Sequence, residues 1–141
     1  MLKKITLLLM GIGMGFAQFT WAAGNPEKGK ALYAVCVACH GTDGAGNKAL
    51  NSPRIAGQEI WYLERQLKNF KTGVRGANSK DVYGMRMRPM AMTLPNDQAI
   101  ADVAAYVNGL KAKPPVAKIK GDTSAGMAAY MICQTCHGAK G

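Results

Sequence analysis

The sequence predicts an all-α fold of short helices, followed by the start of a second copy of the same unit. Three observations predict it. Apolar residues recur at helical spacing in several short segments. Val35-Cys-Val-Ala-Cys-His-Gly41 and Ile132-Cys-Gln-Thr-Cys-His-Gly138 spell Cys-x-x-Cys-His twice. Residues 24–44 also align without gaps on residues 121–141, an offset of 97, with nine of 21 positions identical. The identities include Gly29/Gly126 and Tyr33/Tyr130, well upstream of the cysteines, which chance overlap of two short motifs does not explain.

The 141 residues are enough for one domain or two small ones. A unit of roughly 80–90 residues has a thin core and often needs a staple such as a metal or disulfides. At the N-terminus, Met1-Leu2-Lys3-Lys4 is a positive region and Ile5 to Phe19 an apolar run broken only by Gln18. Small residues follow, so residues 1–22 read as a secretory signal peptide cleaved after Ala22. The run is shorter than the roughly 20 residues a membrane span needs. Export, to the periplasm in a bacterium, is therefore expected.

The elements of the first unit, residues 23–112, follow in order. Asn25 is an N-cap, Pro26 suits the first helical position, and Glu27 favours the positive helix end. They open a helix expected to run from Pro26 to about Cys36, and Gly29 would let another helix cross it closely. Gly41-Thr-Asp-Gly-Ala-Gly46 reads as a turn, since no phosphate-loop Lys-Ser or Lys-Thr follows. Gln58 to Lys71 reads as a second helix with Ile60, Leu63, Leu67 and Phe70 on its core face, and Trp61 is expected to pack. Tyr83 to Met92 reads as a loop holding Met85, Met87, Met90 and Met92. Asn96 caps a last helix with Ile100, Val103, Val107 and Leu110 buried, and Tyr106 is expected where it crosses the first helix near Gly29 and Tyr33. Residues 113–120 lie in a Pro- and Lys-rich linker, and 121–141 begin an incomplete second unit. The expectation is a fragment of a longer protein, with a degenerate second copy the alternative.

Cys-x-x-Cys-His has a specific chemistry. Two cysteines three apart on a helical turn can each form a thioether with a vinyl group at one edge of a haem. The histidine after them brings its imidazole beneath the iron. Cys36, Cys39 and His40, and then Cys133, Cys136 and His137, use up every cysteine and histidine in the chain. Two covalent haem c groups are expected. Zinc fits less well, because the gap between the pairs is several times the usual 15–20 or so residues. A thioredoxin-like motif needs a βαβ setting, and disulfides leave the histidines unexplained. With no third histidine, the second axial ligand in the first unit is expected among the four methionines, whose thioethers suit ferrous iron. Methionine also fills irregular core gaps.

With Gly29, Tyr33, Cys36-Val-Ala-Cys-His40-Gly41, Pro53-Arg-Ile-Ala-Gly-Gln58, the Met-rich segment and Leu94 to Tyr106, the chain resembles dihaem class I c-type cytochromes of the cytochrome c-four subtype. The resemblance spans residues 24–110 and restarts at 121. It implies the class I cytochrome c fold, thioethers at Cys36 and Cys39, and His40 as proximal ligand. It also implies a Pro53 carbonyl accepting from His40 Nδ1, Met87 as axial ligand with Met90 the runner-up, and the same thioether and histidine roles for Cys133, Cys136 and His137. No methionine, Pro-x-Ile-Ala-Gly segment or closing helix follows His137.

The expected function is a periplasmic carrier of single electrons, not an enzyme. It would link a respiratory donor complex or dehydrogenase to a terminal oxidase or reductase. Removing Lys3 and Lys4 from the net charge of +10 leaves +8. That fits redox partners with acidic docking surfaces, including membrane respiratory complexes. Nucleic acid is not expected. A haem subunit of a larger oxidoreductase complex and a dihaem peroxidase are the alternatives. The peroxidase needs distal acid–base groups, and both histidines are spent as proximal ligands.

Overall fold

A computed structural model describes residues 23–114 and 119–141. The expected signal peptide, and residues 115–118 of the expected linker, lie outside them. The chain divides into two compact units, one up to Lys111 and one from Ala112. No strand occurs among the described residues, only an isolated bridge between Asn47 and Ser52.

Among the described residues the first unit contains five α-helices: α1 (Pro26–Leu32), α2 (Val37–His40), α3 (Ile60–Thr72), α4 (Val82–Met92) and α5 (Asp97–Gly109). Asn25 caps α1 through its side-chain oxygen, which accepts from the Glu27 and Lys28 amides at 3.0 and 3.1 Å. The helix expected to reach Cys36 is shorter. It stops at Leu32 and tightens into a 3-10 turn at Tyr33–Val35, a common way for a helix end to satisfy its carbonyls. That turn feeds through Cys36, the N-cap residue, directly into α2, which carries Cys39 and His40.

α1 and α5 cross in close contact because Gly29 has no side chain. A Cβ there would lie 2.0 Å from the Asp102 carbonyl oxygen and 2.9 Å from the Tyr106 Cβ. Tyr33 and Tyr106 pack beside the crossing with ring centroids 5.3 Å apart. Asp102 pins the same crossing, its carboxylate accepting from the Asn25 amide at 2.7 Å and from Gln98 Nε2 at 2.8 Å. The first of these bonds is the main cause that holds the carboxyl below its ordinary range. The core joins Tyr33 and Leu63 to Leu94, Ala99, Ile100, Val103, Ala104 and Val107.

Two expectations are corrected in α3 and α4. In α3, Leu63 and Phe70 are buried and Leu67 half-buried. Ile60 is exposed, and Trp61 stands in solvent with the Arg65 guanidinium 4.8 Å from its ring centroid. The Met-rich segment is a helix, not a loop. Asp81 starts α4, its Oδ1 accepting from the Gly84 amide at 2.9 Å while Oδ2 accepts from the Gly76 amide at 2.8 Å. Pro89 lies inside α4 and lacks the amide that would bond back to Met85.

The second unit holds α6 (Thr123–His137). Its cap repeats that of α1: Asp122, 97 residues after Asn25, accepts from the Ser124 and Ala125 amides at 2.9 and 3.2 Å. None of the α6 residues is buried.

Candidate haem site

The turn from Tyr33 to Gly41 is closed by backbone bonds. Cys36 donates to the Tyr33 carbonyl at 2.8 Å, and the His40 amide to the Cys36 carbonyl at 2.9 Å. This puts Cys36, Cys39 and His40 on one helical turn. His40 is only 6% exposed. Its Nδ1 lies 2.9 Å from the Pro53 carbonyl oxygen. A carbonyl only accepts, so Nδ1 carries the hydrogen and the Nε2 lone pair is free to bind a metal.

These residues line one cavity of about 530 Å³ in the first unit. That volume is within the range of about 300–1,000 Å³ typical of small-molecule and cofactor sites. α2 and its N-cap contribute Cys36, Cys39 and His40, the following loop Pro53, and α4 contributes Met87 and Met90. Met85 and Met92 do not line it and are exposed. The α3 and α5 walls are mostly apolar, with Leu63, Leu67 and Phe70 facing Val103, Ala104 and Val107.

The donor set fits a covalently held haem. Both thiols stand at the cavity with a histidine whose tautomer is set, and a soft thioether is within the same walls. All four cysteines are free, and no group of three or more His, Cys, Asp or Glu side chains is placed to hold a metal among the described residues. A reactive redox pair needs a lowered thiol pKa. Burial, and then the neighbouring Cys39, push the Cys36 thiol up to about 11.

Cys133, Cys136 and His137 stand together on α6, all three exposed. Sequence reasoning missed the polar side of the first cavity. Arg75 lies 4.3 Å from the Phe70 ring centroid and donates to Gln66 Oε1 at 2.7 Å, and both line the cavity. No periodic pattern marks them. Gln66 is a polar residue within an amphipathic helix, and Arg75 lies in the irregular stretch after it.

Residues 26–111 match the family described as Cytochrome c. The chain is 36% identical, over an alignment of 152 positions with gaps, to a cytochrome c4 from Stutzerimonas stutzeri, covering 99% of this chain and 70% of that protein. It is 32% identical to a thiosulfate dehydrogenase electron acceptor from Thiomonas intermedia (strain K12), covering 98% of this chain and 63% of that protein. Among solved structures, reduced recombinant cytochrome c4 from Pseudomonas stutzeri superposes with a TM-score of 0.53 at 26% identity, over 64% of this chain and 53% of that one. The chain thus spans half to about two thirds of the length of these relatives. The cavity, the twofold Cys-x-x-Cys-His and these matches agree: the chain belongs to the cytochrome c family, in its dihaem class I, cytochrome c4 type.

Proposed function

We propose that this c-type cytochrome is an exported carrier of single electrons. In this reading one haem c is joined to Cys36 and Cys39 and ligated by His40 and Met87. A second is joined to Cys133 and Cys136 and ligated by His137. The observation that carries it is the convergence of Cys36, Cys39, His40 and Met87 on one apolar-walled cavity, with His40 Nδ1 tied to the Pro53 carbonyl at 2.9 Å.

When bound, the haem supplies an iron that cycles between ferric and ferrous. The chain's own residues do the rest. Pro53 fixes the imidazole tautomer and ring orientation and raises the basicity of Nε2. Met87 would supply a thioether, a soft donor that suits ferrous iron. The apolar side chains of α3 and α5 would keep water from the cavity. Two units, residues 23–112 and 121 onward, joined by the linker 113–120, give the carrier two redox sites. Residues 1–22 would deliver it to the periplasm as a signal peptide. The described residues contain no helix long and apolar enough to cross a membrane.

The charge of +8 on residues 23–141 supports partners with acidic docking surfaces, such as a respiratory donor complex and a terminal oxidase or reductase. The likeness to a thiosulfate dehydrogenase electron acceptor favours a second reading. There the chain takes electrons from a sulfur-compound dehydrogenase, as its diffusible acceptor or its haem subunit.

The test is an anaerobic redox titration with a peroxide assay. A carrier takes up two electrons per chain reversibly and does not turn over peroxide with a reduced donor. Steady peroxide turnover would overturn the reading in favour of an enzyme. Stable co-purification with a catalytic subunit would select the subunit reading.

A further inference from the structure

Tyr33 and Tyr130 hold the same place in the two copies, 97 residues apart. The Tyr33 hydroxyl donates to the Gly41 carbonyl at 2.8 Å. The Tyr130 hydroxyl donates to the Gly138 carbonyl, also at 2.8 Å. Each acceptor belongs to the glycine directly after the histidine. Both glycines adopt a conformation closed to most side chains, φ 80°, ψ 163° at Gly41 and φ 75°, ψ 174° at Gly138. Their amides return to the helix, from Gly41 to the Val37 carbonyl and from Gly138 to the Gln134 carbonyl, both at 2.9 Å. Each tyrosine–glycine bond therefore closes a ring of chain that contains both cysteines and the histidine.

The surroundings of the two bonds differ. Tyr33 is a core residue, 2% exposed. Tyr130 lies on α6, which has no buried residue. The bond forms with a core around it and without one, so it is encoded by the repeat rather than imposed by packing. Phenylalanine would fill the Tyr33 site as well, and a buried hydroxyl is unfavourable unless bonded. The hydroxyl is the part of the side chain that packing does not explain.

We infer that Tyr33 and Tyr130 are positioning residues: each latches the carbonyl after its histidine, presenting the two thiols and the imidazole of that copy on a preformed turn for haem attachment. This rests on the proposed assignment of haem to those residues. The tyrosines' contribution is to hold the turn in place before attachment, which lowers the ordering cost. Burial, the largest cause, pushes the Tyr33 phenol up to about 12.

The test uses the full chain, matured in a bacterial host with its haem-attachment apparatus under limiting haem. Peptide mass reads occupancy separately at Cys36/Cys39 and Cys133/Cys136. Tyr33→Phe keeps the ring and removes the hydroxyl. It is expected to cut occupancy about fivefold at the first site alone, and Tyr130→Phe to do the same at the second. Fivefold corresponds to about 1 kcal/mol, the net worth of one hydrogen bond. Tyr33→Leu separates the ring from its hydroxyl. If only Tyr33→Leu loses haem, packing is the cause and the latch is overturned. A lowered melting temperature of the loaded Tyr33→Phe protein, with occupancy unchanged, overturns it too. A wild-type chain with no haem at either site overturns the haem assignment itself and the latch with it.

Discussion

His40 is held from two directions. Its amide is bonded into the turn, and its Nδ1 faces the Pro53 carbonyl at 2.9 Å. On the proposed assignment, His40→Ala removes the proximal ligand while both thiols remain. The expected outcome is a first haem that is attached by mass but high-spin by absorption. Met87 and Met90 share the cavity, and Met90 is 38% exposed while Met87 is more covered. Met87→Ala is expected to abolish the weak sulfur-to-iron band of the ferric spectrum and Met90→Ala to keep it. The opposite result would move the ligand to Met90. The cysteines and histidines were legible in the sequence because their chemistry is local: five consecutive residues on one turn. Arg75 and Gln66 were not. They reach the cavity through a guanidinium stacked on Phe70, which no local pattern encodes.

At the scale of helices, the α1–α5 crossing governs the first unit. Gly29→Ala would drive a methyl into the Asp102 carbonyl, 2.0 Å away, where backbone rather than a flexible side chain must yield. Overpacking of this kind costs typically about 1–3 kcal/mol, and the backbone contact puts this case at the upper end. Denaturant unfolding of the holoprotein measures it. Asp102 reports on the same crossing through pH. Its carboxyl is held low, mainly by the Asn25 amide, so its contribution is fully present above the ordinary carboxylate pKa of about 4. It is lost as pH falls through the lower folded value. Asp102→Asn is therefore expected to be less stable at neutral pH and to lose less on acidification than wild type. Unfolding midpoints measured from neutral pH down through about pH 3 check both the offset and its direction. α1 and α5 were legible from their Asn caps, and α3, which has no side-chain cap, from apolar spacing alone. α4 was not. Its methionines fall on no single face, and Pro89 reads as a breaker. What starts it is Asp81, whose carboxylate caps the helix at the Gly84 amide and also holds the Gly76 amide five residues back, two local bonds that the apolar pattern does not signal.

Across the whole molecule, the repeat seen in the sequence reappears as geometry. Paired N-caps at Asn25 and Asp122 and paired hydroxyl bonds at Tyr33 and Tyr130 keep the 97-residue offset. What does not repeat is the surroundings: the first motif faces a cavity built by α3, α4 and α5, whose residues lie up to about 70 positions further along the chain. A motif specifies the attachment turn, whereas the cavity depends on distant helices that only the fold assembles. The basic charge also acts at this scale. Reduction by an acidic partner protein, followed by stopped flow, is expected to slow about tenfold as ionic strength rises from low to above physiological values. A salt-independent rate would remove charge steering from the account. The central claim is that the chain carries haem covalently at both Cys-x-x-Cys-His turns. The direct measurement is the mass of acid-denatured holoprotein, with the modified cysteines located by peptide mass. Two haems per chain, on the Cys36/Cys39 and Cys133/Cys136 peptides, is the predicted result; unmodified thiols on either peptide would contradict it.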